Sequence, residues 1–247
     1  MKYYKLLLLV LIITSCATPH TYLDETGKEI SVKKSAVFEN RGNWVFLDQN
    51  RNQIPEEEFQ EKWRNKENNL VRHDYIATDT GRVATLKEPI YSRYTVSYYQ
   101  IVTKLKELTG KSFPDNSIFI IAYTYRNDLC SPESSNFKSK GKIASRKKSL
   151  EPFIEKIQNN NKEVVILIFY EDGISLANSP NSPEEYFYID KGKFLRNNLF
   201  LTSTFCGSYA IIRPNGQTLV RNGEAPIRHI EQHLKPENWD QFFPPSE

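Results

Sequence analysis

Three cysteines carry most of the chemistry that can be singled out in this chain: Cys16, Cys130 and Cys206. A cysteine sulfur can be acylated, can close a disulfide, or can attack one as a thiolate. Cys16 follows an apolar run and the small polar pair Thr14-Ser15. Cys130 lies in Asn127-Asp128-Leu129-Cys130-Ser131-Pro132-Glu133, and Cys206 in Phe205-Cys206-Gly207-Ser208-Tyr209. Neither belongs to a Cys-x-x-Cys. His229 and His233, four apart, would share one face of a helix, a spacing that metals use. Two ligands do not make a site, and Ile230 stands where His-Glu-x-x-His needs its Glu, so the pair reads as structural or surface and no metal is expected. Gly-x-Ser-x-Gly is absent, and the 10 glycines are too scattered to cradle a phosphate. No cofactor is implied.

The elements that place these cysteines begin with residues 1–15, which have the build of a secretory signal: Lys2, Lys5, an apolar run over 6–13, then Thr14-Ser15. A membrane-crossing helix takes about 20 apolar residues, and no stretch approaches that length. Ile13-Thr14-Ser15-Cys16 resembles the lipobox of bacterial lipoproteins, where signal peptidase II cuts before a cysteine already carrying diacylglycerol. The resemblance implies a lipidated Cys16 at the new N-terminus, a membrane as partner through that lipid, and a place in the bacterial cell envelope. Acyl chains contribute about 0.8 kcal/mol per buried methylene, so two or three of them make a lasting anchor. Ala17 in place of Asp suggests the outer membrane, facing the periplasm. Ordinary secretion, with the cysteine there by coincidence, is the competing reading.

Cleavage would remove two of the 33 basic residues and none of the 30 acidic ones, leaving 31 against 30. A nearly neutral body gives no support to nucleic-acid binding. Its length and aromatic content suffice for one large domain, or a small one with a companion. With Cys16 lipidated, Cys130 and Cys206 remain in an oxidising compartment, where they are to be read as a possible pair.

Residues 16–21 read as a lipidated tether and 22–72 as a small α+β extension, with a turn between short strands over 22–30 and a similar phrase over 44–54. Pro55, placed at a first helical position, and the acids after it predict a helix over 56–66, with Phe59 and Trp63 on its buried side. Residues 73–78 and 82–87 predict a hairpin. Apolar residues at helical period predict helices over 94–109 and 149–158. The runs 117–125 and 163–170 read as buried central strands, and Pro214-Asn215-Gly216 as the turn of a hairpin over 209–221. A closing helix is expected over 225–234 and a tail over 236–247. Residues 171–205 show no clear pattern.

Strand, helix, strand, helix, strand, insertion, hairpin, helix is the order of an α/β sandwich with a mixed central sheet. Residues from about 82 to 235 resemble the thioredoxin-like superfamily, especially envelope thiol-disulfide oxidoreductases with an insertion before the last hairpin. Tyr209-Ala210-Ile211-Ile212-Arg213-Pro214-Asn215-Gly216 and the strand after it are the most similar stretch. The resemblance assigns 73–235 to a thioredoxin-like domain. It places Cys130 at the attacking cysteine's position, with Pro132 as the inner proline and Glu133 where the resolving cysteine would stand. Glu133 cannot resolve a mixed disulfide, and its charge would raise a neighbouring thiol's pKa. Lys138, Lys140, Lys142, Arg146, Lys147 and Lys148 could offset that charge, or simply form a solvated loop.

The family's cis-proline before the hairpin is missing: Phe205-Cys206-Gly207-Ser208-Tyr209 stands there, with Ser208 just before Tyr209, and Cys206 lies in the loop that this fold would bring near Cys130. Three readings stay open: a structural staple closing 75 residues, a redox pair in an unusual arrangement, and unpaired cysteines. The functional expectation is an envelope lipoprotein in which Cys130 attacks a disulfide or peroxide and Cys206 resolves the product. The alternative is a non-catalytic partner-binding or immunity-type lipoprotein on the same fold, with an envelope protein as its partner.

Overall fold

Short strands around two aromatic side chains build the N-terminal part. The computed structural model describes residues 20–23, 29–32, 44–77, 81–130 and 136–245. The signal segment, the lipobox with Cys16, and Ser131, Pro132 and Glu133 lie outside them. Strand β1 (His20–Leu23) pairs antiparallel with β2 (Glu29–Val32) as expected, although it starts inside the supposed tether. Strand β3 (Trp44–Leu47) leads to helix α1 (Glu56–Arg64), with Pro55 standing just before the helix as its cap and three glutamates in the first turn. Acids there complement the positive end of the helix dipole. Phe59 is fully buried against Phe46, Leu70, Ala84 and Leu86, with Trp63 alongside. The expected hairpin forms from β4 (Val71–Ala77) and β5 (Gly81–Lys87), and β5 also runs parallel to β3. This three-stranded sheet thus spans the boundary expected at residue 72.

A second sheet holds six strands. In chain order its elements are β6 (Tyr91–Thr95), α2 (Tyr98–Thr109), β7 (Ile118–Thr124), the two-residue β8 (Phe137–Lys138), α3 (Lys140–Asn160) and β9 (Val164–Glu171). They continue with the two-residue β10 (Ser175–Leu176), β11 (Phe187–Asp190), α4 (Phe194–Asn198), β12 (Ser208–Ile212), β13 (Gln217–Asn222), α5 (Ile227–Gln232) and α6 (Pro236–Trp239). The strand order is β11-β9-β7-β12-β13-β6, parallel from β11 to β7 and antiparallel beyond, while β8 and β10 pair separately. Both faces of β7 are covered, which explains its nearly unbroken apolar run. Phe119, Ile121 and Tyr123 face α2 and α4 through Ile101, Leu105 and Leu195, whereas Ile120 joins the cluster of Ile154, Ile157, Ile230 and Trp239 from α3, α5 and α6. Parallel β7 and β9 joined by α3, with an antiparallel hairpin on the other side of β7, make a thioredoxin-like sandwich. No helix among the described residues is long and apolar enough to cross a membrane.

Several expectations need correction. Tyr91–Thr95 is an edge strand on β13, not the start of a helix; α2 begins only after the cap Ser97, whose side chain accepts from Gln100 N. Helix α3 starts at Lys140, nine residues earlier than expected, and takes in five of the six basic residues read as a loop. Its first turns bury only Ile143, so they carry no apolar stripe to read. Residues past 236 hold Trp239, 2% exposed, with Arg213 4.2 Å over its ring.

Candidate redox site

The chain leaves β7 at Thr124 and turns at Asn127, whose backbone is left-handed (φ 59°). Asn127 and Asn136 lock this loop: Asn127 N donates to Asn136 Oδ1 (3.0 Å) and Asn136 Nδ2 returns a bond to Asn127 Oδ1 (2.7 Å). Asp128 follows, and its Oδ1 accepts from Cys130 N (3.0 Å) and from Cys206 N (3.1 Å), 78 residues away. One carboxylate oxygen therefore ties together the two cysteine-bearing loops at one end of the sheet. Burial pushes the Asp128 carboxyl up to about 6; the two amides and Lys138 pull it down, and Asp74 adds to the rise.

Cys206 and Gly207 both adopt left-handed backbone, φ 65° and 80°. At Gly207 a side chain is excluded, because a Cβ would lie 2.4 Å from the Tyr123 carbonyl oxygen. This close approach stands where the family resemblance put a cis-proline. Thr204 Oγ1 donates to Gly207 O (3.0 Å), and Tyr125 OH donates to Thr202 O (2.7 Å) and lies 3.0 Å from Ser208 Oγ, so hydroxyls hold the loop from beneath. Burial raises the Tyr125 phenol to about 12, which keeps it a neutral donor.

Cys130 and Cys206 are joined, with S–S 1.96 Å and Cα–Cα 4.8 Å, which excludes the unpaired reading. Both are half-buried. A cavity of about 140 Å³ lies against Cys206, walled by Ala122, Leu150, Tyr209, Ile230 and Arg146. On the other side the three-stranded sheet braces the pair: Phe205 N donates to Arg72 O (2.7 Å), and Arg82 Nη2 donates to Leu129 O (3.0 Å) and to Asp74 Oδ2 (2.8 Å). Asp74 also holds Arg72 (2.6 and 2.8 Å), whose guanidinium lies 4.8 Å over Phe205, next to Cys206.

A second polar cluster sits under the same loop. Lys87 Nζ reaches Ser203 O (3.5 Å) and Arg196 Nη2 donates to Ser203 Oγ (2.8 Å), with His73 facing both. Burial beside these cations depresses His73 to about 3 and Lys87 to about 8, and His73 Nδ1 has no hydrogen-bond partner.

Of the residues singled out by sequence, Cys130 and Cys206 are brought together, while Cys16 and Glu133 lie outside the described residues. His233 Nδ1 donates to His229 O (3.0 Å), and the His233 ring stands among Tyr91 and Phe242. No group of three or more His, Cys, Asp or Glu suited to a metal occurs among the described residues. Asp128, Arg82 and the Ser203 cluster went unread. The one available signal was an Asp two positions before a Cys, where its carboxylate can cap the following amide.

Strand order and the disulfide across two loops at one end of the sheet define a protein of thioredoxin-like fold. No family model matches the chain, and no curated protein does. Among solved structures it is similar to the pneumococcal exposed lipoprotein thioredoxin Etrx1 from Streptococcus pneumoniae: TM-score 0.31, 12% identity, over 66% of this chain and 97% of that one. It is similar also to MTB DsbF, in mixed oxidised and reduced forms, with TM-score 0.29 and 12% identity over 48% of this chain and 79% of that one. A secreted Mycobacterium tuberculosis disulfide oxidoreductase homologous to E. coli DsbE gives TM-score 0.29 and 7% identity over 48% and 80%. The fold stands on its own strand order.

Proposed function

We propose that Cys130 and Cys206 are a reversible dithiol-disulfide pair in an envelope protein tethered through Cys16. The observation that carries this reading is Asp128, which binds the amides of both cysteines and whose carboxyl titrates near 6. A group with that proton affinity, fixed between the two sulfurs' loops, is suited to take up the proton when a thiol ionises. In the reducing direction one protein thiolate attacks a substrate disulfide, displacing a substrate thiolate. The second cysteine then attacks the mixed disulfide, releasing the other substrate thiol and restoring the protein disulfide. Two electrons pass to the substrate. Because Cys206 and not Cys130 is among the residues that line the cavity, Cys206 is assigned as the sulfur that meets the substrate, the reverse of the order expected from sequence.

The test is equilibration of the full chain in dithiol-disulfide buffers of graded potential, followed by acid quench and alkylation of free thiols. A reversible pair titrates within the range of cellular thiol couples, about −120 to −270 mV, and the transition is the same from either side. A disulfide that stays closed well below that range, near −300 mV or lower, overturns the proposal.

A second reading, a staple in a non-catalytic partner-binding module, is favoured by the bracing of the Cys206 loop through Arg72 and Phe205. A loop held independently of the sulfur bond gains from the bond mainly through chain entropy, about 4 to 5 kcal/mol for this span.

A further inference from the structure

A groove of about 420 Å³ opens beside the Cys206 loop, between the end of α1, the start of β4 and the end of β13. Its apolar wall is Trp63, Leu70, Ile90 and Phe205. Arg72 joins the two aromatic rings: its guanidinium lies 5.2 Å from the Trp63 centroid and 4.8 Å from that of Phe205. Buried Asp74 holds this guanidinium by two bonds (2.6 and 2.8 Å). A stack of ring, cation and ring clamped by a carboxylate is stiff, so the wall is fixed relative to the residue that precedes Cys206. Gly223, with no side chain, lines both this groove and the cavity at Cys206, and the two meet there.

The charge of the lining is lopsided. With Arg72 neutralised by Asp74, Arg64, Lys66 and Arg221 stand against Glu224 alone, and Arg64 and Lys66 are exposed. Positive charge around an aromatic wall is complementary to an acidic chain that carries an apolar side chain. Such a chain finds little main-chain pairing at this loop, because Phe205 N is bound by Arg72 O (2.7 Å) and Cys206 N by Asp128 Oδ1 (3.1 Å). Recognition falls to side chains.

We propose that the disulfide exchanges with a partner protein whose cysteine lies within a few residues of an acidic segment bearing an aromatic side chain, and that this segment docks in the groove. The aromatic side chain packs against Trp63 and Phe205, and the flanking carboxylates meet Arg64, Lys66 and Arg221. This rests on the Cys130–Cys206 pair being reversible. The partner's thiolate attacks the Cys206 sulfur, the Cys130–Cys206 bond breaks, and Cys130 leaves as a thiolate that takes up a proton. A second partner thiolate then attacks the partner sulfur of the mixed disulfide, freeing Cys206, which takes up the second proton, and releasing the partner's disulfide. Two thiols thereby give two electrons and two protons to the protein.

The experiment reduces the oxidised full chain, in detergent, with synthetic peptides in which one cysteine is followed, after two glycines, by Asp-Phe-Asp, Asn-Phe-Asn, Lys-Phe-Lys or Asp-Gly-Asp. Each rate is divided by that peptide's rate on a small uncharged disulfide at the same pH, which removes intrinsic nucleophilicity. At low ionic strength the Asp-Phe-Asp peptide should lead the Asn-Phe-Asn one by about tenfold, as expected for a charged cleft that concentrates its substrate. It should lead the Asp-Gly-Asp one by about tenfold as well, the effect of burying the ring. The lead over Asn-Phe-Asn should shrink toward unity in about 1 M salt, and in Arg64→Gln/Lys66→Gln. The salt series on the unaltered chain keeps the test valid should the double variant misfold. Resistance to all four peptides overturns the redox reading itself. Exchange at equal normalised rates, or fastest with Lys-Phe-Lys, leaves a reversible pair standing and overturns the acidic partner; equal rates for Asp-Phe-Asp and Asp-Gly-Asp overturn the seat on Trp63 and Phe205. If the rates are equal while the double variant abolishes binding to phosphatidylglycerol vesicles, or self-association, the groove belongs to a lipid surface or a second copy and the proposal falls.

Discussion

Replacing Asp128 by Asn keeps an oxygen to accept the Cys130 and Cys206 amides and removes the charge. The native carboxyl titrates near 6 rather than at 3.8. Between these values the folded protein holds a proton that the unfolded chain has released, so stability falls as pH rises through the window. At 1.36 kcal/mol per unit, the penalty above pH 6 is about 2 to 3 kcal/mol. Asp128→Asn should therefore be more stable than the parent at pH 7 by about that amount, with the gap closing below pH 4. Urea unfolding of both oxidised proteins from pH 3.5 to 7.5 measures it, since other titrating groups cancel in the difference. A variant less stable at pH 7, by an amount that does not change with pH, would refute the reasoning and make Asp128 an anchor with an ordinary carboxyl. The same variant should exchange more slowly with dithiols near neutral pH, having lost its proton acceptor.

Other consequences are as direct. Cys16→Ala should abolish incorporation of labelled palmitate and release the chain from the membrane of a bacterial host; retention without label would remove the anchor. Replacing both Cys130 and Cys206 by Ser should cost about 2 to 5 kcal/mol in chemical denaturation. Gly207→Ala should cost more than about 2 kcal/mol, because its Cβ would stand 2.4 Å from Tyr123 O at φ 80°, and a near-neutral result would mean the loop can shift. His73, depressed to about 3, is neutral in the fold at pH values where the unfolded chain takes a proton, so stability is lost as pH falls below about 6.5. Between pH 7 and 5, His73→Gln should lose about 2 kcal/mol less than the parent, read from paired unfolding curves.

The sequence by itself determined the elements whose residues answer to a single partner surface. Residues 118–123 and 164–169 are apolar on both sides and read as central strands; the Pro214-Asn215-Gly216 turn imposes the hairpin. The α/β class and the thioredoxin-like order follow from these local signals, as does the nearness of Cys206 to Cys130 once that order is accepted. Elements defined by contacts far along the chain needed the tertiary structure. Tyr91–Thr95 is a strand because β13 offers it an edge, and the first turns of α3 are helical with only Ile143 buried, so periodicity could not reveal them. The site shows the same division. Cysteines are legible as chemistry wherever they stand, but Asp128 becomes a shared acceptor only when loops more than 70 residues apart close over the same end of the sheet. Burial and neighbouring charge shift a carboxyl or an imidazole, and both are properties of that packing rather than of any residue alone.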